Sequence, residues 1–255
     1  MFLFAMKVLN GWIGHGNASL DSTSSPVPGG NSLLLSEMGD GAANSGFGNE
    51  GLYLVGGKEY EGYLVLQSAN AATITVSLLT SESQQASLAT TTLSFAGGEW
   101  SEVPFRLTPS ASAECVGIDN AAANKLGIGC PINNTYNPQA GMSDRSAHIC
   151  VRCGGKFSIT LASGGPINVG FASLMPGAWG RYKGLPVRLD AALLLQKMGI
   201  RAMRQGGSFA DDADMKWTNW RGTVWRRPSA GGKMNRGLRD LSQLGGARCV
   251  VRSDK

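Results

Sequence analysis

Charged residues make up only 16% of this 255-residue sequence. The apolar start, residues 1–8, is too short to span a membrane, and it lacks the basic start and small-residue cleavage site of a signal peptide. Of the 23 Lys and Arg residues, 16 lie from Arg181 onward, but they are dispersed among Gly, Trp and Asp and form no basic run. We therefore expect neither a membrane nor a nucleic acid as a partner.

The sequence is instead rich in small and polar residues, with 36 glycines and many Ser, Thr and Asn. This composition favours a loop-rich β protein over a helical bundle. Period-two alternation of apolar and polar residues is clear in residues 60–67 and 73–78. The pattern from about residue 11 to 177 predicts a jelly roll or β-sandwich. Its predicted strands are 52–55, 60–67, 72–79, 90–95, 103–107, 157–161 and 167–174.

A stretch containing four of the five cysteines, residues 113–155, interrupts the strand pattern. It contains Cys115, Cys130, Cys150 and Cys153, with His148 nearby. The close pair Cys150 and Cys153 would supply half of a zinc site, but a zinc ribbon requires a second close pair, so no metal is expected. Two disulfides in a secreted domain fit better, with free thiols as the other alternative. The sequons at Asn17 and Asn133 are compatible with secretion.

A helix and a loop of polar and aromatic residues follow the predicted sandwich. Apolar residues recur at helical spacing from Val187 to Met198, and Gly199 suits the left-handed position that ends a helix. Residues 200–204 have room for a short strand before a Gly-Gly turn. The loop beyond contains Arg204, Ser208, three aspartates and three tryptophans. Such groups suit a sugar, although tryptophans that only pack in a core need no ligand.

Several motifs cluster in residues 171–228. They are 203–209 (MRQGGSF), 217–222 (WTNWRG), 227–228 (RP), 171–176 (FASLMP), Trp179 and 184–188 (GLPVR). Together they resemble the signature of family 51 glycoside hydrolases, the α-L-arabinofuranosidases, including the join between a carbohydrate-binding-like sandwich and the catalytic barrel. Gln205 stands where the family usually has Pro, and Ser208 where it has Asn or Cys.

The resemblance implies a mainly β fold, a jelly roll or β-sandwich followed by an incomplete (β/α) barrel segment. The implied domains are a sandwich over residues 1–177, with the Cys-rich insertion at 113–155, and a partial barrel with an irregular tail over 178–255. The implied partner is an arabinose-containing glycan, and no cofactor is implied. The implied sugar contacts are Arg204, Gly206, Gly207, Ser208, Trp217 and Trp220.

Aromatic residues of the sandwich offer a further carbohydrate surface, because such modules often bind glycans through exposed rings. The candidates are Tyr53, Tyr60 and Tyr63, and we expect at least two of the three to lie in the core instead.

The resemblance assigns no catalytic residue to this sequence. Retaining glycosidases use two carboxylates about 5–5.5 Å apart, and in family 51 both are glutamates on later barrel strands. The last glutamate here is Glu114, and Glu50 lies within the predicted sandwich. In larger family members a first barrel strand also precedes the sandwich, so the resemblance implies that this sequence is part of a longer one.

These observations leave three hypotheses. The first is a fragment of an α-L-arabinofuranosidase-like glycoside hydrolase that is inactive alone. The second is a non-catalytic carbohydrate-binding or structural β-sandwich. The third, an interaction module that depends on thiols or zinc, rests on the cysteine insertion alone.

Overall fold

The computed structural model describes residues 12–26, 30–46, 51–80, 86–113, 115–118, 150–185 and 187–200, together with Thr223 and Trp225. These residues form two five-stranded sheets and a two-stranded hairpin. All strand pairs in them are antiparallel. One buried apolar cluster takes side chains from both sheets, so the sheets pack face to face. The predicted β-sandwich is confirmed.

Strands that follow one another in the chain often lie in different sheets. The first sheet has the order β1 (Trp12–His15), β4 (Gly41–Asn44), β11 (Gly155–Gly164), β6 (Ala72–Thr80) and β7 (Ser87–Phe95). The second sheet has the order β2 (Ser19–Asp21), β3 (Ser32–Leu35), β12 (Ile167–Pro176), β5 (Tyr60–Ser68) and β8 (Gly98–Leu107). The chain therefore crosses between sheets from β5 to β6, from β7 to β8 and from β11 to β12.

The core lies between the two sheets and is filled by the alternate residues of the long strands. In β6, Ile74, Val76 and Leu78 are fully buried while their neighbours are partly exposed. Phe157 of β11 lies near the centre. Its ring packs edge-on against Trp12, with centroids 6.0 Å apart, and stacks on Phe105 of β8 at 5.8 Å. The contact with Phe105 joins the first sheet to the second.

Six of the seven predicted strands lie within observed strands, from β5 to β8 and in β11 and β12. The seventh, 52–55, forms only an isolated bridge between Leu52 and Gly155. Strands β1 to β4 were not predicted individually. They have three or four residues each and include small residues, as in GAAN, so they carry little alternation of their own. Pairing of β4 with β11 and of β3 with β12 stabilises them.

The cysteine-rich stretch begins and ends in a hairpin of β9 (Cys115–Ile118) and β10 (Cys150–Cys153). The register places Cys153 opposite Cys115. Cys153 is disulfide-bonded. The partner of Cys153 is not identified among the described residues, so the two predicted disulfides stay a prediction.

A turn at Asp40 ties β3 to the start of β4 and to the segment after β1. The buried Asp40 carboxylate accepts backbone N–H hydrogen bonds from Glu37 at 2.8 Å, Asn17 at 2.7 Å and Ser36 at 3.0 Å. These bonds, that from Glu37 first, hold the pKa of Asp40 below its ordinary value. Since the folded-state pKa is depressed, the ionised carboxylate stabilises the fold above the unfolded-state pKa. That stabilisation is lost as the pH falls through the folded-state pKa.

We expect Asp40→Asn to lower stability at pH 7 and to weaken the dependence of stability on pH below about pH 4, because the amide cannot ionise. Urea unfolding at a series of pH values measures both effects. Glu99→Gln is the matched control, because Glu99 is an exposed carboxylate of β8. If Asp40→Asn left the dependence of stability on pH unchanged, the stabilising role of the ionised Asp40 carboxylate would be contradicted.

The chain leaves the sandwich through a short 3₁₀ helix, Ala178–Gly180. Trp179 packs edge-on against Tyr60 of β5 with ring centroids 5.5 Å apart, and its indole N–H donates to the Glu59 carbonyl at 2.5 Å. Burial raises the pKa of Tyr60 to about 12. Trp179 of the resemblance motif therefore anchors the join to the sandwich.

Helix α1 (Leu189–Lys197) follows the join. It ends where predicted, and Gly199 takes the expected left-handed conformation, with φ of 71°. The predicted apolar stripe is exposed at Val187, Leu194 and Met198. Residues 201–204 of the predicted strand lie outside the described residues, so the helix–strand unit stays a prediction. In the part of the chain that the structure describes, no helix has the length and apolar character needed to cross a bilayer.

Candidate functional site

The predicted sugar-contacting residues lie outside the described residues, and their placement stays a prediction. They are Arg204, Gly206, Gly207, Ser208, Trp217 and Trp220. From the same loop, Trp225 is described, and it contacts the sandwich. The candidate site is therefore built from the surface that Trp225 contacts.

This surface is the outer face of the second sheet, which we define as the face turned away from the first sheet. Its first row runs across three strands, from Phe171 of β12 to Val65 of β5 and Glu102 of β8. Trp225 packs on Phe171 and Val65, and its indole N–H donates to a carboxylate oxygen of Glu102. Trp225 is only 4% exposed. Trp225 thus covers this end of the outer face.

Aromatic contacts extend from this first row along the face. Tyr63, two residues before Val65, stacks on Phe171 with ring centroids 5.6 Å apart and an interplanar angle of 18°. Trp100 packs against the same cluster from β8. The stack holds the Tyr63 ring in a fixed orientation.

A groove of about 690 Å³ begins where the aromatic cluster ends. Its floor consists of the next two cross-strand rows of the outer face. These rows are Ser173, Tyr63 and Pro104, followed by Met175, Glu61 and Arg106. Arg181 also lines the groove. Thr91 and Leu93 of β7 and Phe105 of β8 line it too, so the groove extends from the outer face past the β8 edge toward the first sheet. The volume falls in the usual range for small-molecule sites, about 300–1,000 Å³.

Gly62 allows the floor strands to approach closely. A Cβ atom there would collide with the Ser173 carbonyl oxygen of β12 and would lie 2.6 Å from the Phe105 ring of β8. Since a backbone carbonyl in a paired strand cannot move aside easily, glycine is required for this packing.

The charges in the groove are paired. A carboxylate oxygen of Glu61 accepts from the Arg181 guanidinium, and Arg106 lies 3.3 Å from a carboxylate oxygen of Glu59. Each of these arginines therefore has a compensating carboxylate. The groove combines paired charges and a hydroxyl with apolar surface from Tyr63 and Met175. Such a surface suits an uncharged ligand that has both hydroxyl groups and C–H faces.

Sequence reasoning missed most of this groove. The alternation of residues 60–67 already placed Glu61, Tyr63 and Val65 on one face, so that signal was present. The pairing of Glu61 with Arg181 depends on the tertiary fold. The expectation that at least two of the three tyrosines lie in the core is wrong: Tyr60 does, Tyr53 is exposed, and Tyr63 lies half-buried on the outer face. Tyr63 is half-buried because its ring packs against Phe171, which lies on the side of the sheet away from the core.

No protein-family model matches this sequence, and no curated protein matches it. Among solved structures, an arabinose-bound α-L-arabinofuranosidase, MgGH51, is similar over 89% of this chain, with a TM-score of 0.57 and 21% identity. This chain covers 34% of the length of that structure.

Two carbohydrate-binding structures show weaker similarity. The CBM22-1–GH10 modules of the xylanase Xyn10B from Clostridium thermocellum, complexed with xylohexaose, match with a TM-score of 0.39 and 16% identity, over 73% of this chain and 30% of that one. The N-terminal cellulose-binding domain of the Cellulomonas fimi β-1,4-glucanase C matches with a TM-score of 0.38 and 12% identity, over 66% and 90%. The similarity to the arabinofuranosidase shows that the two chains share a fold.

Proposed function

We propose that this chain is part of an α-L-arabinofuranosidase-like glycoside hydrolase and that it binds arabinose-containing polysaccharide. The observation that carries the proposal is the fold shared with an arabinose-bound α-L-arabinofuranosidase over 89% of the chain. The motifs in residues 171–228 support the same family independently of the fold, because they lie at the join and in the loop beyond it. In this proposal, residues 1–177 are the sandwich domain and residues 178–255 belong to a partial (β/α) barrel.

The proposed sugar contacts are those of the loop that the resemblance identified. An arginine and a serine can exchange hydrogen bonds with sugar hydroxyls, and tryptophan rings can pack on the C–H faces of the sugar. Glycines allow the backbone to approach a ligand closely. These roles fall on Arg204, Gly206, Gly207, Ser208, Trp217 and Trp220.

The exposed stripe of α1 agrees with this proposal. In a (β/α) barrel each helix packs its apolar side against the strands, and this side of α1 is exposed at Leu194 and Met198, with Leu193 beside it. We propose that barrel strands cover it in the folded enzyme.

We expect the purified 255-residue chain to bind arabinan without hydrolysing an aryl α-L-arabinofuranoside. Hydrolysis with retention requires a nucleophile and a separate acid/base. The sequence contains no glutamate after Glu114, so neither catalytic glutamate of the family has a counterpart beyond that position. Isothermal titration with arabinan and a release assay for the aryl group measure the two properties. Turnover that Asp211→Asn abolishes would show instead that the loop aspartates are catalytic.

The second hypothesis, a non-catalytic carbohydrate-binding sandwich, is favoured by one observation. The described residues already form two five-stranded sheets with a groove on the outer face, so this groove is present without a barrel. Arabinan binding that persists in a variant lacking the loop contacts, such as Trp217→Ala, would favour this hypothesis over the first.

A further inference from the structure

Two polar atoms in the groove have no hydrogen-bond partner among the described residues, the Ser173 hydroxyl oxygen and the Arg181 Nε. Ser173 is 1% exposed. Its neighbours Ala172 and Leu174 belong to the core, so the Ser173 side chain lies on the outer face, where it lines the groove. Buried polar atoms are nearly always paired in folded proteins. An unpaired hydroxyl and an unpaired guanidinium N–H in one groove therefore indicate a missing polar ligand.

The surrounding groups restrict the chemistry of that ligand. Arg181 is paired with Glu61 and Arg106 with Glu59, so the described lining of the groove offers no uncompensated arginine to an anion. A hydroxyl, a guanidinium N–H and a carboxylate can instead bind a group that both donates and accepts, as a sugar hydroxyl does. The Tyr63 ring, fixed by its stack on Phe171, supplies apolar surface beside them.

We propose that this groove is a carbohydrate-binding site separate from the loop of residues 204–220, and that it takes a neutral sugar unit. In it, Ser173 and the Arg181 Nε–H pair with sugar hydroxyls, Glu61 accepts from a further hydroxyl, and the sugar ring packs beside Tyr63. The ligand class rests on the proposed function, whereas the position of the site rests on the unpaired atoms.

Isothermal titration of the purified chain with α-1,5-linked L-arabinotriose and with xylohexaose tests the proposal. Ser173→Ala should weaken binding of the preferred oligosaccharide by about 3- to 10-fold, because one hydrogen bond is lost. The same change should leave the melting temperature unchanged or higher, since it removes an unpaired buried hydroxyl. Arg181→Lys, which keeps the charge but loses the Nε–H, should weaken binding by about 10-fold. A trigalacturonate probe should bind more weakly than either neutral oligosaccharide, and tighter binding of this anion would overturn the neutral ligand class.

Ser158→Ala is the matched control, because Ser158 is a buried serine of β11 in the other sheet. It should leave the affinity unchanged. If the wild-type chain binds and both groove variants bind equally well, the groove proposal is overturned while the proposed function stands. Affinity lost in Trp217→Ala but retained in both groove variants would also overturn the groove proposal alone. If the wild-type chain binds none of the probes, the proposed function is overturned, and this proposal with it.

Discussion

Trp225→Ala is expected to release residue 225 from the outer face of the second sheet. The substitution removes a buried indole from Phe171 and Val65 and its hydrogen bond to Glu102. Truncation of a buried tryptophan typically costs about 3–5 kcal/mol. A loss of about 3 kcal/mol corresponds to roughly a hundredfold larger fraction of molecules in which residue 225 is undocked.

Limited trypsin digestion followed by mass spectrometry measures this release. Cleavage after Arg226, the residue next to Trp225, should become roughly a hundredfold faster in the variant. Trp225→Phe is the control, because it keeps most of the apolar contact and loses only the indole N–H. Its cleavage rate should lie between those of the wild type and the alanine variant.

Equal cleavage after Arg226 in the wild type and in Trp225→Ala would mean that the Trp225 contact does not limit access to the Arg226–Arg227 bond. The outer face would then be open along its whole length. In that case another group would have to bury the apolar side chains of Val65 and Phe171.

Phe157→Ala is expected to lower the free energy of unfolding of the sandwich by about 3–5 kcal/mol. Phe157 is fully buried and touches Trp12 in its own sheet and Phe105 in the opposite one. Deleting its ring leaves a cavity between the sheets that the surrounding strands cannot close without losing their register. Since small domains are stable by only about 5–15 kcal/mol, the loss is a large fraction of the total.

Urea unfolding followed by far-ultraviolet circular dichroism measures the change. Phe157→Leu, which refills much of the volume, should cost about 1 kcal/mol. Tyr53→Ala is the surface control, because the Tyr53 side chain is exposed, and it should stay within about 0.5 kcal/mol of the wild type. A Phe157→Ala variant no less stable than Tyr53→Ala would contradict the position of Phe157 at the core.

Local patterns in the sequence were sufficient to predict the long strands and the end of the helix. The alternation of β5 and β6 follows from the opposite directions of successive side chains in a strand, so it is visible in a short window. Gly199 is equally local, because the left-handed conformation depends on the residue itself. The β-sandwich could therefore be predicted without any knowledge of which strands pair.

Strand partners, and with them the groove, were decided only by the tertiary structure. Tyr63 and Ser173 are far apart in the sequence and become neighbours because β5 pairs with β12. Arg181 reaches Glu61 only because Trp179 anchors the join to Tyr60. No local periodicity encodes such pairings, since they depend on how two sheets bury their apolar faces together. For the same reason the position of Trp225 could not be predicted from the sequence, because it depends on contacts with distant strands.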